Sequence, residues 1–157
     1  MNTSIREISP RIRTMGHDDV AQVSDIERRS YQFPWSHGVF RDCLLAGYHC
    51  LIVEREGTVV GYGILSVAAG EAHILNLCVD PRFRNLGYGE QLLDEILERA
   101  AHAEVREIFL EVRPSNEKAM ALYRKKGFRL IASRPGYYQA SGGREDASVL
   151  SKLVRKP

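Results

Sequence analysis

Residues 79–90, which read Val-Asp-Pro-Arg-Phe-Arg-Asn-Leu-Gly-Tyr-Gly-Glu, are the most informative segment of the chain about its fold. A β-rich run ends where this stretch starts, and a run with helical hydrophobic period follows it. A loop between a strand and a helix exposes unpaired N–H groups at the positive end of the helix dipole. Gly87 and Gly89 carry no side chains that would block an anion from that backbone, and Arg84 adds positive charge. The stretch therefore predicts a binding loop for a diphosphate.

Two familiar kinds of nucleotide loop fit this stretch poorly. It lacks the Gly-Lys-Ser/Thr ending of a loop that hydrolyses nucleotides. No acidic residue ends a strand about 20 residues further on, as a dinucleotide-binding fold requires. An ordinary surface turn with two glycines remains an alternative for the short motif alone, but its place between a strand and an amphipathic helix favours the anion site.

Hydrophobic periodicity divides the rest of the chain into alternating elements. Glu56-Gly57 joins two β-rich runs and predicts a hairpin, while Asp18 and Asp19 are expected in the first turn of a helix. The predicted strands are Ile12–Thr14, Tyr48–Arg55, Thr58–Val67, Ala72–Val79, Glu107–Val112, Phe128–Ala132 and Ala147–Leu153. Of the four predicted helices, the first carries Val20, Val23 and Ile26, and the second begins at Ser36. The third carries the apolar residues from Leu92 to Ala100, and the fourth covers Ser115–Lys126 and ends at Gly127. This order predicts a mixed α/β (α+β) fold, in which a twisted sheet has helices on both faces.

Composition excludes several classes of protein. Of 157 residues, 44% are hydrophobic and 27% are charged, which is typical of one globular domain. The net charge of +2 is spread along the chain, so we expect no direct binding to nucleic acid, which needs a basic stripe. The first ten residues lack the apolar core of a secretory signal, and no apolar stretch is long enough to cross a bilayer. We expect a cytoplasmic protein with no membrane association.

The cysteines and histidines do not suggest a metal centre. The 3 cysteines, at 43, 50 and 78, match no zinc spacing, and we expect them to be reduced thiols without a nucleophilic role. The 5 histidines stand apart from each other and are interpreted as surface or packing residues. No metal is expected.

Several motifs together resemble a known enzyme family. Val79-Asp80-Pro81 with Arg84-x-x-Gly87-x-Gly89 resembles the acyl-CoA loop of the GCN5-related N-acetyltransferases (GNAT). Six further strings, in this order, resemble the bacterial ribosomal-protein-alanine acetyltransferases within that family: Phe33-Pro34-Trp35-Ser36, Leu110–Asn116, Ala121-Leu122-Tyr123, Gly127-Phe128, Tyr137-Tyr138 and Glu145-Asp146-Ala147. The resemblance covers Ile12 to Leu153, so residues 12–157 are expected to form a single domain and residues 1–11 an N-terminal extension.

The resemblance implies a GNAT-type sheet, mostly antiparallel, with a splayed central strand pair. It implies acetyl-CoA as the co-substrate, without a metal. The main chain of Leu77, Cys78 and Val79 would pair with the pantetheine arm. The residues around the diphosphate would be Arg84, Asn85, Leu86, Gly87, Tyr88, Gly89 and Glu90, and Asn116 would also contact the cofactor.

Glu111 and Tyr123 match the family's general base and general acid, and their chemistry suits those roles. An amine attacks a thioester only as the free base, so a site must take a proton and stabilise the leaving thiolate. Glu111 is the polar residue of an apolar strand, near its C-terminal end. Without the resemblance, Glu111 could face solvent and Tyr123 could be a core aromatic.

The acceptor is the least determined part of the function. Resemblance implies the N-terminal alanine of small-subunit ribosomal protein eighteen as the acceptor. From their aromatic character, the loop residues Phe33 and Trp35, with Tyr137 and Tyr138, are expected to form walls for the first residues of the peptide. Ordinary packing is the alternative for these aromatics. The rival functions are acetylation of other protein N-termini, lysines or small amines, and a CoA sensor without turnover. We expect a monomer.

Overall fold

The computed structural model describes residues 9–154. Its strands are β1 (Arg11–Thr14), β2 (His49–Arg55), β3 (Thr58–Ala68), β4 (Glu71–Val79), β5 (Glu107–Val112), β6 (Arg129–Ala140) and β7 (Gly143–Leu153). Its α-helices are α1 (Val20–Ser30), α2 (His37–Leu45), α3 (Tyr88–His102) and α4 (Glu117–Lys125). Short 3₁₀ turns cover His17–Asp19 and Pro81–Phe83. Most of the expected extension, residues 1–11, lies outside the described residues.

The strands form a 7-stranded sheet in the order β1-β2-β3-β4-β5-β7-β6. The pairs β1–β2, β2–β3, β5–β7 and β6–β7 are antiparallel, whereas β4–β5 is parallel. This confirms the predicted mixed sheet. The register of β4 with β5 runs from Glu71↔Glu107 to Ile74↔Leu110 and stops there, although β4 continues to Val79. Such a short register fits the expected splay.

The chain divides into two compact units. Within the described residues, the first unit comprises residues 9–65 together with Asn76–Leu97, and the second comprises Ser66–Leu75 together with residues 98–154. The first core includes the fully buried side chains of Phe40, Ile52, Tyr62, Ile64, Leu92, Leu93 and Ile96. The second includes Ile108, Leu110, Met120, Phe128, Ala147 and Leu150. The helical period predicted for Leu92–Ala100 thus marks buried positions of α3.

The β2–β3 hairpin forms as predicted. Glu56 and Gly57 have φ values of 52° and 79°, which is the conformation of a type I′ turn. This turn twists in the same sense as its strands.

The starts of two helices differ from the predicted ones, while several strand ends shift by one residue. α4 begins at Glu117, not Ser115, because the Asn116 side chain accepts a hydrogen bond from the Ala119 N–H and caps the helix. Asp18 and Asp19 lie in a 3₁₀ turn before α1, where Asp19 accepts two hydrogen bonds of 2.9 Å from Arg13. Asp19 therefore anchors β1 to this turn.

The largest difference is the β6–β7 hairpin. The sequence predicts strands ending at Ala132 and starting again at Ala147, but β6 reaches Ala140 and β7 starts at Gly143. The register shifts between Arg134 and Tyr138, around Pro135-Gly136. Because a bulge accommodates a proline and a glycine with φ of 60°, a stretch that resembles a loop remains part of the sheet.

None of the helices in residues 9–154 is both long enough and apolar enough to span a membrane.

Gly63 on β3 is expected to be intolerant of a side chain. A Cβ there would lie 2.6 Å from Ile96 Cδ1 and 3.2 Å from Leu77 Cδ1. Gly63→Val should lower the free energy of unfolding by about 1–3 kcal/mol, because the side chain overpacks a closed core. Urea denaturation measures this change.

Gly38→Ala is the matched control. A Cβ at Gly38 has its nearest neighbour at 3.8 Å, the Ser36 Oγ, so stability should stay within about 0.5 kcal/mol of the wild type. Equal stability of the two variants would contradict the packing described for Gly63.

Candidate active site

Asp80 fixes the end of β4, where the predicted phosphate loop begins. Its side chain is completely buried and accepts hydrogen bonds from the Arg82 N–H at 3.0 Å and from Arg29 Nη2 at 2.7 Å. The Arg82 guanidinium also bonds to it, at 2.9 Å from Nη2. Burial raises the pKa of Asp80, but the hydrogen bonds from Arg82 and Arg29 outweigh it and hold the pKa below the usual aspartate range. Asp80 thus stays ionised and keeps the 3₁₀ turn in place.

The loop that follows leads directly into α3. Asn85 and Gly87 have φ values of 65° and 87°, a left-handed conformation that glycine adopts without strain. α3 starts at Tyr88, and the Gln91 N–H in its first turn donates a hydrogen bond of 3.1 Å to the carbonyl of Gly87, the residue before the helix. The N–H groups at a helix start have no partner within the helix and attract anions. The predicted residues Arg84–Glu90 therefore form the expected strand-loop-helix arrangement.

The glycines of the loop leave its surface open. A Cβ at Gly87 would meet no atom within 4 Å, and one at Gly89 would meet only Val79 Cγ2, at 3.6 Å. Arg84 donates a hydrogen bond to the Val79 carbonyl at 3.3 Å and is exposed. Packing within the protein does not require glycine at position 89. Space for a ligand would explain why a glycine suits this position.

The β4 segment Leu77–Val79 precedes this loop in the same unit. Cys78 is buried among the three residues, and a Cβ at Gly61 would lie 3.0 Å from the Cys78 carbonyl. Cys43, Cys50 and Cys78 are all free thiols. Burial raises the pKa of each, to about 12 for Cys50. A thiol that stays protonated is a poor nucleophile, as the sequence predicts for these residues.

Glu111 lies in the second unit and is the centre of a polar cluster. Only 9% of its side chain is accessible. Its Oε1 lies 2.9 Å from His73 Nε2, accepts a hydrogen bond of 3.3 Å from the Tyr137 hydroxyl, and lies 3.9 Å from Arg134 Nη1. Glu111 thus does not face open solvent, which was the alternative left by the sequence.

A cavity of about 470 Å³ opens beside this carboxylate. His73 and Arg134 line it together with apolar side chains such as Phe109 and Val149. A substrate group of modest size can therefore reach the neighbourhood of Glu111.

His73 and Arg134 are contacts of Glu111 that the sequence did not reveal. Both are far from Glu111 along the chain, so strand register is needed to bring them together. The β4–β5 register pairs His73 with Phe109. Because side chains two residues apart on a strand lie on the same face, His73 and Glu111 share one face of the sheet.

Tyr123 packs as a core aromatic of the second unit. It is buried, and its ring meets Phe128 edge-on at 5.6 Å between centroids. The ring therefore has a packing role whatever its hydroxyl does.

Asn116 and the loop before α4 are held by Glu145. The Ser115 N–H and hydroxyl both donate to this carboxylate at 3.1 Å, and Arg113 Nη1 donates at 3.1 Å. The hydrogen bond from Ser115 lowers the pKa of Glu145. Asn116 itself uses its Oδ1 to cap α4.

The four predicted wall aromatics lie in two different units. Tyr137 and Tyr138 meet edge-on at 4.8 Å on β6, under the guanidiniums of Arg134 and Arg113 respectively. Burial raises the pKa of both phenols. In the first unit, Trp35 packs against Phe40 at 5.3 Å, whereas Phe33 is 41% exposed. Tyr137 and Phe33 are thus the more accessible of the four.

Comparison with known proteins gives a consistent result. The family model described as the acetyltransferase (GNAT) family matches residues 20–128. The chain is 32% identical to the ribosomal protein bS18-alanine N-acetyltransferase of Escherichia coli K12 over 140 residues, which are 89% of this chain and 95% of that protein. It is 31% identical over 141 residues to the enzyme of that name from Haemophilus ducreyi, covering 89% of this chain and 97% of the relative.

A solved structure agrees with this family. The crystal structure of the ribosomal-protein-S18-alanine N-acetyltransferase from Escherichia coli superposes with a TM-score of 0.89 at 30% identity, over 95% of this chain and 96% of that one. The resemblance of the sequence motifs is confirmed: the chain belongs to the acetyltransferase (GNAT) family.

Proposed function

We propose that this chain transfers the acetyl group of acetyl-CoA to the N-terminal alanine of ribosomal protein bS18. The observation that carries the proposal is similarity to bS18-alanine N-acetyltransferases over nearly the full length of both chains. The polar cluster around Glu111 supports it, because it supplies a proton acceptor beside an accessible cavity. A ribosomal-protein substrate implies reaction in the cytoplasm, and we take the monomer as the working form.

In this proposal the first unit binds acetyl-CoA, which donates the acetyl group. The N–H groups at the start of α3 hold the diphosphate, and the charge of Arg84 lies near it. The main chain of Leu77–Val79 pairs with the pantetheine arm, beyond the point where the β4–β5 register stops. Asn116 in the second unit is an additional contact to the cofactor. The loop geometry supports these roles because the glycines leave the backbone open.

Glu111 acts as the general base. It takes a proton from the incoming ammonium, directly or through a water, so that the amine lone pair attacks the thioester carbonyl. Its contacts with His73 and Tyr137 fix the carboxylate in one orientation while part of it stays accessible to the cavity. Fixed orientation lowers the entropy that the reaction must lose.

Tyr123 assists the departure of the thiolate. When the C–S bond breaks, a hydroxyl donor stabilises the charge on sulfur and delivers a proton to it. A phenol with a pKa of about 10 is a weaker acid than a thiol of about 8.5, so hydrogen bonding contributes more than full transfer. Packing against Phe128 keeps the ring of Tyr123 in place.

The chemistry of the acceptor favours an N-terminal amine. An α-amine with a pKa of about 8 is roughly ten per cent neutral at pH 7, whereas deprotonating a lysine costs roughly 3 kcal/mol more. A single carboxylate therefore suits an N-terminal target. The residues proposed as walls for the first residues of the peptide are Phe33 and Trp35 of the first unit and Tyr137 and Tyr138 of the second. The alternative, a broader enzyme for other N-termini, lysines or small amines, lacks a supporting feature of this kind.

Mass spectrometry of ribosomal proteins with and without this gene product tests the proposal. The bS18 N-terminus should gain about 42 Da, because an acetyl group replaces one hydrogen, only when the protein is present. Purified enzyme with an alanine-initiated peptide, a lysine peptide with a blocked N-terminus and a polyamine separates the alternatives. Turnover of the lysine peptide or polyamine alone would overturn the proposed acceptor, and no turnover with any amine would favour a CoA sensor.

Replacing the proposed base is expected to affect turnover most at low pH. Glu111→Gln should lower kcat/KM for the alanine peptide by about 10²-fold or more, because an amide cannot accept the proton. The loss should shrink as pH rises and the free amine becomes abundant in solution. Steady-state rates across pH measure this, while calorimetry should show unchanged acetyl-CoA affinity.

Glu107→Gln, on the same strand, is the control and should behave like the wild type. If Glu111→Gln were as active as the wild type at every pH, Glu111 would not be the base.

Removing the phenol hydroxyl should slow thiolate release. Tyr123→Phe keeps the ring that packs on Phe128 and should lower the single-turnover rate by about 10²-fold. Release of free thiol after rapid mixing measures the step, with the exposed Tyr48→Phe as control. An unaltered rate would mean that another group, or water, donates the proton.

A branched side chain at Gly89 should weaken binding of coenzyme A. Gly89→Val fills space that the diphosphate needs, and the nearest atom outside its own helix is Val79 Cγ2, 3.6 Å from the Cβ, so the fold should tolerate it. Calorimetric affinity should fall at least tenfold, or about 1.4 kcal/mol, and Gly89→Ala should give a smaller loss. Wild-type affinity in both variants would contradict the placement of the diphosphate.

A further inference from the structure

Glu27 on α1 is a buried carboxylate without a role in the proposed reaction. It is only 2% exposed and accepts hydrogen bonds from three groups of its own unit. The Trp35 main-chain N–H donates to Oε2 at 2.9 Å, Asn76 Nδ2 donates to Oε1 at 3.0 Å, and the Tyr62 hydroxyl donates to Oε1 as well. The two oxygens of Glu27 thus bind different parts of the fold.

These three donors are all neutral. A carboxylate taken out of water needs strong compensation, and an apolar side chain of similar size usually serves stability as well or better. The placement of Glu27 is therefore better explained by the geometry that it imposes than by added stability.

Glu27 spans the aromatic loop of residues 31–36. Its main-chain carbonyl accepts a hydrogen bond from Tyr31 N–H at 3.0 Å, where the loop begins. Its carboxylate holds Trp35 N–H, near the point where the loop ends. Between them Pro34 has no N–H to contribute. The bond to Tyr31 is the last main-chain bond of α1, so the Glu27 side chain itself holds the far end of the loop that carries Phe33 and Trp35.

The other carboxylate oxygen binds the sheet of the same unit. Asn76 directly precedes Leu77–Val79, the β4 segment proposed to pair with acetyl-CoA. Tyr62 is fully buried on β3 and meets Phe40 edge-on at 5.5 Å, and Phe40 in turn packs on Trp35. The loop and the donor-binding strand therefore share one anchor.

We propose that Glu27 is a positioning residue that sets the aromatic peptide loop against the acetyl-CoA strand and so determines how well the peptide is used. This rests on the proposed function, because it takes the loop as a wall for the acceptor. Glu27 itself touches neither substrate.

The test uses Glu27→Gln in the full chain. An amide has one acceptor oxygen and adds an NH₂ donor, so it cannot accept from both Trp35 and the Asn76–Tyr62 pair. The kcat/KM for the alanine peptide should fall roughly 10- to 100-fold, as expected for a displacement of about 1 Å, with unchanged KM for acetyl-CoA. Trp35 is the 1 tryptophan of the chain, so acrylamide quenching of its fluorescence reports the loop directly. Quenching should increase.

Asp19→Asn is the matched control. Asp19 is a carboxylate of the same unit, 7% exposed, and it bonds to Arg13 rather than to the loop. This variant should lose stability but keep wild-type quenching and wild-type kcat/KM. Asn76→Ala is the second variant if Glu27→Gln does not fold, and it should lower peptide kcat/KM in the same direction.

Two results would overturn the inference. One is wild-type quenching and peptide kcat/KM in folded Glu27→Gln, or in Asn76→Ala when that variant is used in its place. The other is that Asp19→Asn lowers peptide kcat/KM and increases quenching as much as Glu27→Gln does. Any loss of stability would then have the same effect. Absence of wild-type turnover on the alanine peptide would instead count against the proposed function, and the quenching measurement would still test whether Glu27 holds the loop.

Discussion

The function proposed for this chain depends on one constraint: the main chain must leave β4 and enter α3 with its N–H groups turned toward a ligand. Asp80 imposes this constraint from inside the protein, because it is buried and bonded to Arg82 and Arg29. The left-handed residues Asn85 and Gly87 then turn the chain into the helix. An anion site built from main-chain groups needs no specific side chain for binding, so the loop requires mainly the absence of side chains.

Carboxylates have distinct tasks in this protein, and their partners show which task each has. Asp80 is bonded to two arginines, and such an ion pair makes a poor proton acceptor. Glu27 has only neutral donors and almost no exposure, which suits an anchor. Glu111 has His73 and Tyr137 at hydrogen-bond distance, while Arg134 lies farther away at 3.9 Å, and a cavity adjoins it. Of these three, Glu111 is therefore the one that we propose as the proton acceptor.

Local signals in the sequence were sufficient for the elements and for the loop. The Glu56-Gly57 turn, the period of α3 and the Arg84–Gly89 motif each depend on neighbours along the chain, and the structure contains all of them. The β6–β7 hairpin was missed because Pro135-Gly136 is accommodated by a shift in register, which no local rule predicts. Glu27 and His73 were missed for a related reason: their partners Asn76 and Glu111 are 49 and 38 residues away. Contacts of this kind need the strand register, which the sequence patterns do not contain.

A crystal structure of the protein with coenzyme A would show directly whether the start of α3 holds the diphosphate. We expect electron density for the diphosphate against the N–H groups at the start of α3, within hydrogen-bond distance of the main chain of residues 86–90, where the glycines leave room for it. Density for the diphosphate at another place, with this helix start in contact with solvent only, would contradict it.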